Sequence, residues 1–190
     1  MFSGFICLFD ACVLYAAPVR DLVLELAMAK IYRAKWTHRI HDEWMDNLLR
    51  KRPDLKPANL QRTRKLINES VEDCLVTGYE ALADKLELPD PNDRHVLAAA
   101  IKGQVQIIVT YNLKDFPAKT LAEFGMEAQH PDDFFLNQSD LQLSAFLTAV
   151  KKIREGLKNP PRNSTQYLEV LRKHSLVKTA AFLDSYLDVI

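Results

Sequence analysis

The chain has 190 residues, enough for one domain or one domain with a small appendage, and 48% apolar with 26% charged residues excludes wholesale disorder. Lys plus Arg (25) cancel Asp plus Glu (25), so no global charge draws the protein to nucleic acid or an anionic membrane, and any such surface must be local. The apolar start MFSGFICLFDACVLYAAPVR lacks a basic leader and is split by Asp10, which argues against a signal peptide. No apolar run approaches the roughly 18 residues of a spanning helix, so a cytoplasmic protein without membrane segments is expected. Cys7, Cys12 and Cys74 form no CxxC pair and read as reduced core thiols without chemistry. The five glycines build neither GxGxxG nor GxxxxGK[ST], which removes the usual sequence support for nucleotide-dependent chemistry.

In chain order, Phe5 to Phe9 has the length and composition of a buried strand. A first helix is predicted from Asp21 to Tyr32. A second begins after the N-cap Thr37 and runs through Ile40, Trp44, Leu48 and Leu49 to the basic run before Pro53. A third covers Asn59 to Ser70, and a short apolar run, Leu75 to Thr77, reads as a strand. The Pro89-Asp90-Pro91-Asn92 turn opens a fourth helix through Val96 to Lys102, which Gly103 stops. Val105 to Thr110, rich in β-branched residues, is the third strand. Strands alternating with helices predict an α/β fold with a parallel sheet. After the His130-Pro131-Asp132-Asp133 turn no strand signal recurs. Apolar positions from Leu141 to Leu157, and helical stretches over Thr165 to Lys173 and Leu176 to Ile190, predict a small all-α C-terminal appendage.

In parallel sheets ligands bind beyond the carboxyl ends of the strands. Asp10 directly follows the first strand, and Asp115 lies five residues after Thr110, which ends the third. A carboxylate at the rim of an apolar strand needs a partner, and a cation is the natural one. Asp93 stands in the first turn of the fourth helix, where an acid alone needs no more explanation than the helix dipole. Glu43 borders the apolar stripe Ile40, Trp44 and Leu48, whereas Asp42 and Asp46 lie toward solvent. Three or four converging carboxylates without soft ligands make a hard oxygen site for Mg²⁺ or Mn²⁺, suited to metal-assisted hydrolysis of a phosphodiester.

Four segments in order resemble the PIN domain, a family of metal-dependent ribonucleases that includes the VapC toxins of bacterial type II toxin–antitoxin pairs. They are Phe5 to Leu14 around Asp10, Trp36 to Trp44 around Glu43, Asp93 to Ala100, and Ile107 to Phe116 around Asp115. The resemblance spans roughly residues 1–134. It implies a PIN-like three-layer fold with a central parallel sheet flanked by helices, in a nuclease domain of residues 1–134, with the helical appendage at 136–190. It further implies that Asp10, Glu43, Asp93 and Asp115 are the catalytic, metal-holding acids of an endoribonuclease. An RNA substrate, a cognate antitoxin and a homodimer follow from the same resemblance. Many family members carry the last acid two residues after the threonine, where this chain has Asn112. Asp115 then substitutes for it or reaches the metal through water, with Asp90 as a spare acid, Thr110 as a hydrogen-bonding residue and Asn112 in a supporting place.

His38 and His41, at i and i+3, read as part of a solvated first helical turn rather than as zinc ligands, and His95 as a surface or packing residue outside the site. Between residues 50 and 65, Arg50, Lys51, Arg52, Lys56, Arg62, Arg64 and Lys65 face one acid, Asp54, and form the candidate RNA-contacting patch. Arg20 and Arg33 are further candidates for backbone contacts or for a partner's acids. The apolar stripe Leu176, Ala180, Phe182, Leu183 and Leu187 reads as packing on the main domain or another chain. The rival to the nuclease is a catalytically degenerate PIN-like module that binds RNA or protein. A phosphatase or a DNA-specific nuclease with the same metals differs only in substrate.

Overall fold

The computed structural model describes residues 4–190, so the first three positions of the apolar N-terminal stretch lie outside the described residues. Strand β1 (Ile6–Phe9) leads into helices α1 (Ala11–Tyr15) and α2 (Ala17–Met28), and strand β2 (Arg33–Lys35) follows. Helices α3 (His38–Lys51), α4 (Pro57–Ser70) and α5 (Glu80–Ala83) precede a 3-10 turn at Pro91–Asp93. Helix α6 (Arg94–Lys102), strand β3 (Ile107–Val109), a 3-10 turn at Leu113–Asp115, α7 (Ala118–Ala122) and β4 (Glu127–Gln129) come next. Helices α8 (Pro131–Leu141), α9 (Leu143–Gly156), α10 (Ser164–Lys173) and α11 (Val177–Leu183) complete the chain with a final 3-10 turn at Asp184–Tyr186.

The four strands form one parallel sheet in the order β2-β1-β3-β4. The α/β class with a central parallel sheet is thus what the alternating pattern predicts. The two inner strands are the ones that read as strands. Cys7, Leu8, Phe9, Ile108 and Val109 are fully buried, as a parallel sheet covered on both faces requires. The two edge strands were not predicted, because Arg33-Ala34-Lys35 and Glu127-Ala128-Gln129 are three-residue polar segments with no apolar run. Short charged edges also discourage pairing with another sheet. The strand predicted at Leu75 to Thr77 is only a bridge between Trp36 and Leu75, held by Trp36 N to Cys74 O and Val76 N to Trp36 O, each 2.9 Å.

The first helix differs from its prediction at both ends. It starts as α1 at Ala11, breaks at Ala16 before Pro18, and α2 stops at Met28 because Lys30 takes a left-handed conformation (φ 59°). Ile31 and Tyr32 are buried but lie past that helix, and the Tyr32 hydroxyl donates to the Val23 carbonyl at 2.9 Å. The Thr37 N-cap of α3 and the Gly103 stop of α6 stand where the sequence puts them.

The C-terminal helices share the core of the sheet. Phe134 of α8 meets Phe9 of β1 edge-on at 5.6 Å and Tyr32 at 5.1 Å. Asp132, buried in the first turn of α8, accepts from the backbone N–H groups of Lys178 and Thr179 at 2.8 Å each, capping the start of α11. The expected division between 134 and 136 falls within α8. Among the described residues no helix is long and apolar enough to cross a membrane.

Helix α3 is fixed by a buried polar chain that the sequence does not show. Trp36 Nε1 donates to Asn68 Oδ1 at 2.8 Å, and the same oxygen lies 2.9 Å from His41 Nε2. Trp44 Nε1 donates to His41 Nδ1 at 3.0 Å. His41 is therefore fully buried, not part of a solvated turn, and its Nδ1 must be the acceptor and Nε2–H the donor. A proton on Nδ1 would face the Trp44 N–H.

Burial, together with the nearby Arg64 and His38, pushes the His41 imidazole down to about 4 from its ordinary value, although Asn68 favours the charged form. A base whose folded pKa is depressed contributes full stability above its unfolded value, near 6.5, and loses it as the pH falls toward 4. Chemical denaturation should therefore show a loss of about 2–3 kcal/mol from this group between pH 7 and pH 4.5. In His41→Gln that acid-dependent increment should disappear; an unchanged pH dependence would contradict the buried, neutral assignment.

Candidate active site

All four strands point their carboxyl ends the same way, so the residues that follow them gather at one edge of the sheet. Asp10 follows β1 and is only 6% exposed. Its Oδ1 accepts from the Ala11 N–H at 2.6 Å, capping α1. Its Oδ2 accepts from the Thr110 hydroxyl at 2.8 Å and from the Cys12 thiol at 3.1 Å. Thr110, fully buried at the end of β3, also accepts from the Asn112 N–H at 3.1 Å, so one hydroxyl ties the first acid to the loop after the third strand. Burial and the Asp10 charge hold the Cys12 thiol far above its ordinary range, which keeps the proton it donates.

Glu43 comes from the middle of α3, half-buried beside the apolar stripe as its spacing predicts. Its Oε1 accepts from Arg39 Nε at 3.1 Å and lies 2.9 Å from His95 Nε2. Burial works to raise the Glu43 carboxyl, but the His95 contact and then Arg39 outweigh it and hold it below its ordinary value. Asp93 ends the 3-10 turn that leads into α6, and Asp90 caps that turn by accepting from the Asn92 N–H at 2.9 Å. Burial first, then the charges of Asp10, Asp90, Asp115 and Glu43, push Asp93 up to about 7.

Asp10, Glu43, Asp93 and Asn112 line one cleft of about 460 Å³, with Tyr15, Asn47, Lys51 and Asn92 around them. Asp115 and Asp90 do not line it but raise Asp93 electrostatically, so the fourth acid and the spare acid both act on the cleft from its margin. Two larger clefts, about 600 Å³ each, lie elsewhere. The one beside Lys30, Arg33 and Asp73 sits at the amino ends of β1 and β2, where Asp73 is already neutralised by Lys35 at 2.8 Å and Arg33 at 3.0 Å. The smaller cleft brings together three carboxylates from three elements, Asp10, Glu43 and Asp93, whereas one larger cleft has Asp21 and Glu25 with Arg20 and Lys152 beside them.

Apart from Cys12 and the Lys51 ammonium, the polar groups bordering the cleft are hard oxygen donors and amides, and mutual repulsion of its acids is the condition a divalent cation relieves. Donor chemistry therefore fits Mg²⁺ or Mn²⁺. Among the described residues no group of three or more His, Cys, Asp or Glu side chains already stands together as a metal site, so ligation would have to draw the carboxylates closer.

Of the basic segment, Lys51 alone lines the cleft, its Nζ held 5.2 Å above the Tyr15 ring. Arg52 is paired with Asp54, Arg64 with Asp42 at 2.7 Å and with His38 at 2.8 Å, and Lys65 with Glu69 at 3.7 Å. Arg50 donates to Asn47 Oδ1, and Arg62 is exposed on α4. Arg20 is buried, donating to the Leu14 carbonyl at 2.8 Å and lying 4.8 Å over the Trp44 ring, so it is a core residue rather than a backbone contact for RNA.

Three residues around the acids escaped the sequence reading. His95 gives no signal in a single sequence, since it reaches Glu43 only through tertiary packing, whereas Cys12 reaches Asp10 locally, two residues on at the start of α1. Asn47 could have been found, because it stands one turn after Glu43 on the same helix face. The loop is also braced from behind: the Tyr111 hydroxyl donates to the His174 carbonyl, 2.9 Å away at the end of α10.

Residues 7–114 match the family model described as "PIN domain", and residues 131–185 match the one described as "VapC50 C-terminal domain". A protein of Mycobacterium tuberculosis named "Putative ribonuclease VapC50" is 40% identical over 79 residues, 42% of this chain and 47% of that protein. The chain thus spans about half the length of the curated relative it matches. No solved structure matches it.

The Thr110 hydroxyl serves both Asp10 and the Asn112 N–H, so Thr110→Val should leave a buried carboxylate oxygen and an amide short of a partner and cost about 1–3 kcal/mol in urea unfolding. Thr110→Ser, which keeps the hydroxyl, should recover most of that loss. Equal stability of the valine variant and the parent would show that the tie carries no weight.

Proposed function

The chain belongs to the PIN-domain family, and on that premise we propose that it is an Mg²⁺- or Mn²⁺-dependent endoribonuclease, the toxin of a toxin–antitoxin pair. The observation that carries this reading is the cleft in which Asp10, Glu43 and Asp93 meet, with Asp93 raised by burial and then by its acidic neighbours. Asp10, Glu43, Asp93 and Asp115 would hold the cation. When bound, it supplies Lewis-acid activation of water and shields the charge that develops on the phosphate.

The chain's own residues do the rest. The Thr110 and Cys12 donors orient the Asp10 carboxylate, and Arg39 and His95 hold Glu43. Asn47, Asn92 and Asn112 offer neutral amides at the wall of the cleft, able to donate to phosphate or ribose oxygens without neutralising the acids. Lys51, at the same wall, is placed for a neighbouring phosphate of single-stranded RNA. In this reading residues 1–134 carry the nuclease and 136–190 a helical segment that braces its last loop. A cytoplasmic location, a homodimer and a cognate antitoxin are part of the same proposal and rest on the family.

A second reading has two observations in its favour: Asn112 stands where many family members carry an acid, and the described carboxylates are not gathered at metal distance. It makes the chain a degenerate PIN-like module that binds RNA or protein. Cleavage separates the two. With millimolar Mn²⁺ the parent should cut single-stranded RNA, whereas Asp10→Asn and Asp93→Asn should lose at least a hundredfold in rate with unchanged circular dichroism. Undiminished cutting by both variants, or none by the parent on a varied RNA pool, would overturn the nuclease.

A further inference from the structure

The two donors on Glu43 both fall on one oxygen. Arg39 Nε and His95 Nε2 meet Oε1, while Oε2 accepts no hydrogen bond among the described residues, and Glu43 borders the acid cleft. The two donors differ in kind. Arg39 is an exposed side chain four residues back on the same helix, a pair of the sort worth only a few tenths of a kcal/mol. His95 is 2% exposed, sits in the first turn of α6 two residues after Asp93, and reaches across to α3. Its other nitrogen, Nδ1, is buried and has no partner among the described residues, so among them the Glu43 contact is the imidazole's one polar anchor. A carboxylate oxygen can only accept, so Nε2 carries the proton and His95 is the donor in this contact.

We propose that His95 is a positioning residue that, by donating from Nε2 to Glu43 Oε1, fixes this carboxylate with Oε2 free for the divalent cation and locks the α3 acid to the α6 acid, Asp93. This inference rests on the metal-dependent reading and adds a residue that the four acids do not include. The physical reason is rotamer freedom. An unheld glutamate spreads over several rotamers, and the cation would then have to order it on binding. A buried donor on one oxygen removes that disorder beforehand and chooses which oxygen is left over. Groups that hold a metal-binding side chain from behind in this way typically change affinity 10–100-fold when removed.

The test compares His95→Gln with His95→Asn, whose amides are chemically alike but differ in reach by one methylene. Binding of Mn²⁺ alone is followed by electron paramagnetic resonance on metal-stripped full-length protein, with thermal melts of each apo form. His95→Gln, whose amide nitrogen replaces Nε2, should bind within about threefold of the parent, and His95→Asn should bind 10–100-fold more weakly. In a Glu43→Gln background the His95→Asn change should add nothing, an outcome that a general loss of stability would not produce. Should His95→Asn not fold, His95→Gln alone carries the test: a loss of tenfold or more in its Mn²⁺ affinity, with an apo melt like the parent's, would overturn the proposal. Equal Mn²⁺ affinity of His95→Asn and the parent would overturn the role of His95 and leave the metal site standing. Failure of the parent to bind Mn²⁺ would overturn the metal site and this role with it.

Discussion

A carboxylate buried at the end of a buried strand must be given partners, and Asp10 is that carboxylate here. Leaving it bare in an apolar rim would cost several kcal/mol, so the chain supplies an amide from its own helix start, a hydroxyl from the residue after β3 and a thiol two residues on. Each donor has a consequence beyond Asp10. The amide begins α1, the Thr110 hydroxyl sets the conformation of the Asn112 loop, and the thiol occupies the gap between them. The parallel register of β1 and β3, which pairs Phe9 with Val109, places Asp10 and Thr110 side by side one residue later. Satisfying one buried charge therefore builds half of the cleft.

The other half depends on the helices. Helix α3 is anchored by the Trp36, Asn68, His41 and Trp44 chain, which spends its buried polar groups on one another and leaves Glu43 on the adjoining face. Helix α6 packs through Val96 to Ala100, five consecutive fully buried residues whose alanines let it approach closely, and that packing carries His95 to Glu43. Asp10 is thus held by neutral donors, and Glu43 by the buried His95 together with Arg39, an exposed pair worth little and screened by salt. The basic residues near them are largely spent: Arg20 on the core, Arg52 and Arg64 on local acids. Lys51 remains at the cleft.

Much of this was legible in the sequence, and the parts that were not share a cause. The inner strands are apolar runs and the Thr37 cap is a side-chain signal, so both can be read locally. The edge strands Arg33–Lys35 and Glu127–Gln129 exist only because a neighbour pairs with them, and nothing in three polar residues announces that. Asp10, Glu43 and Asp93 were legible because each stands at a position fixed by its own element: after a strand, beside an apolar stripe, at a helix start. His41 was misread, and the contact of His95 with Glu43 was missed, because their partners lie on other segments, 27 residues away for His41 and Asn68. The C-terminal helices were found as helices, but their tie to the cleft through Tyr111 and His174 depends on a contact 63 residues apart.

The central claim is that these carboxylates are a cation site held ready by hydrogen-bond donors on neighbouring elements, and its most direct test is a thermal melt of metal-stripped protein with and without millimolar Mn²⁺, run beside Asp10→Asn. A cation that binds only the folded chain stabilises it by about 2.7 kcal/mol at a concentration a hundredfold above its dissociation constant. The account predicts a clear upward shift in the parent that vanishes in Asp10→Asn. No shift in the parent, or the same shift in both, would contradict it.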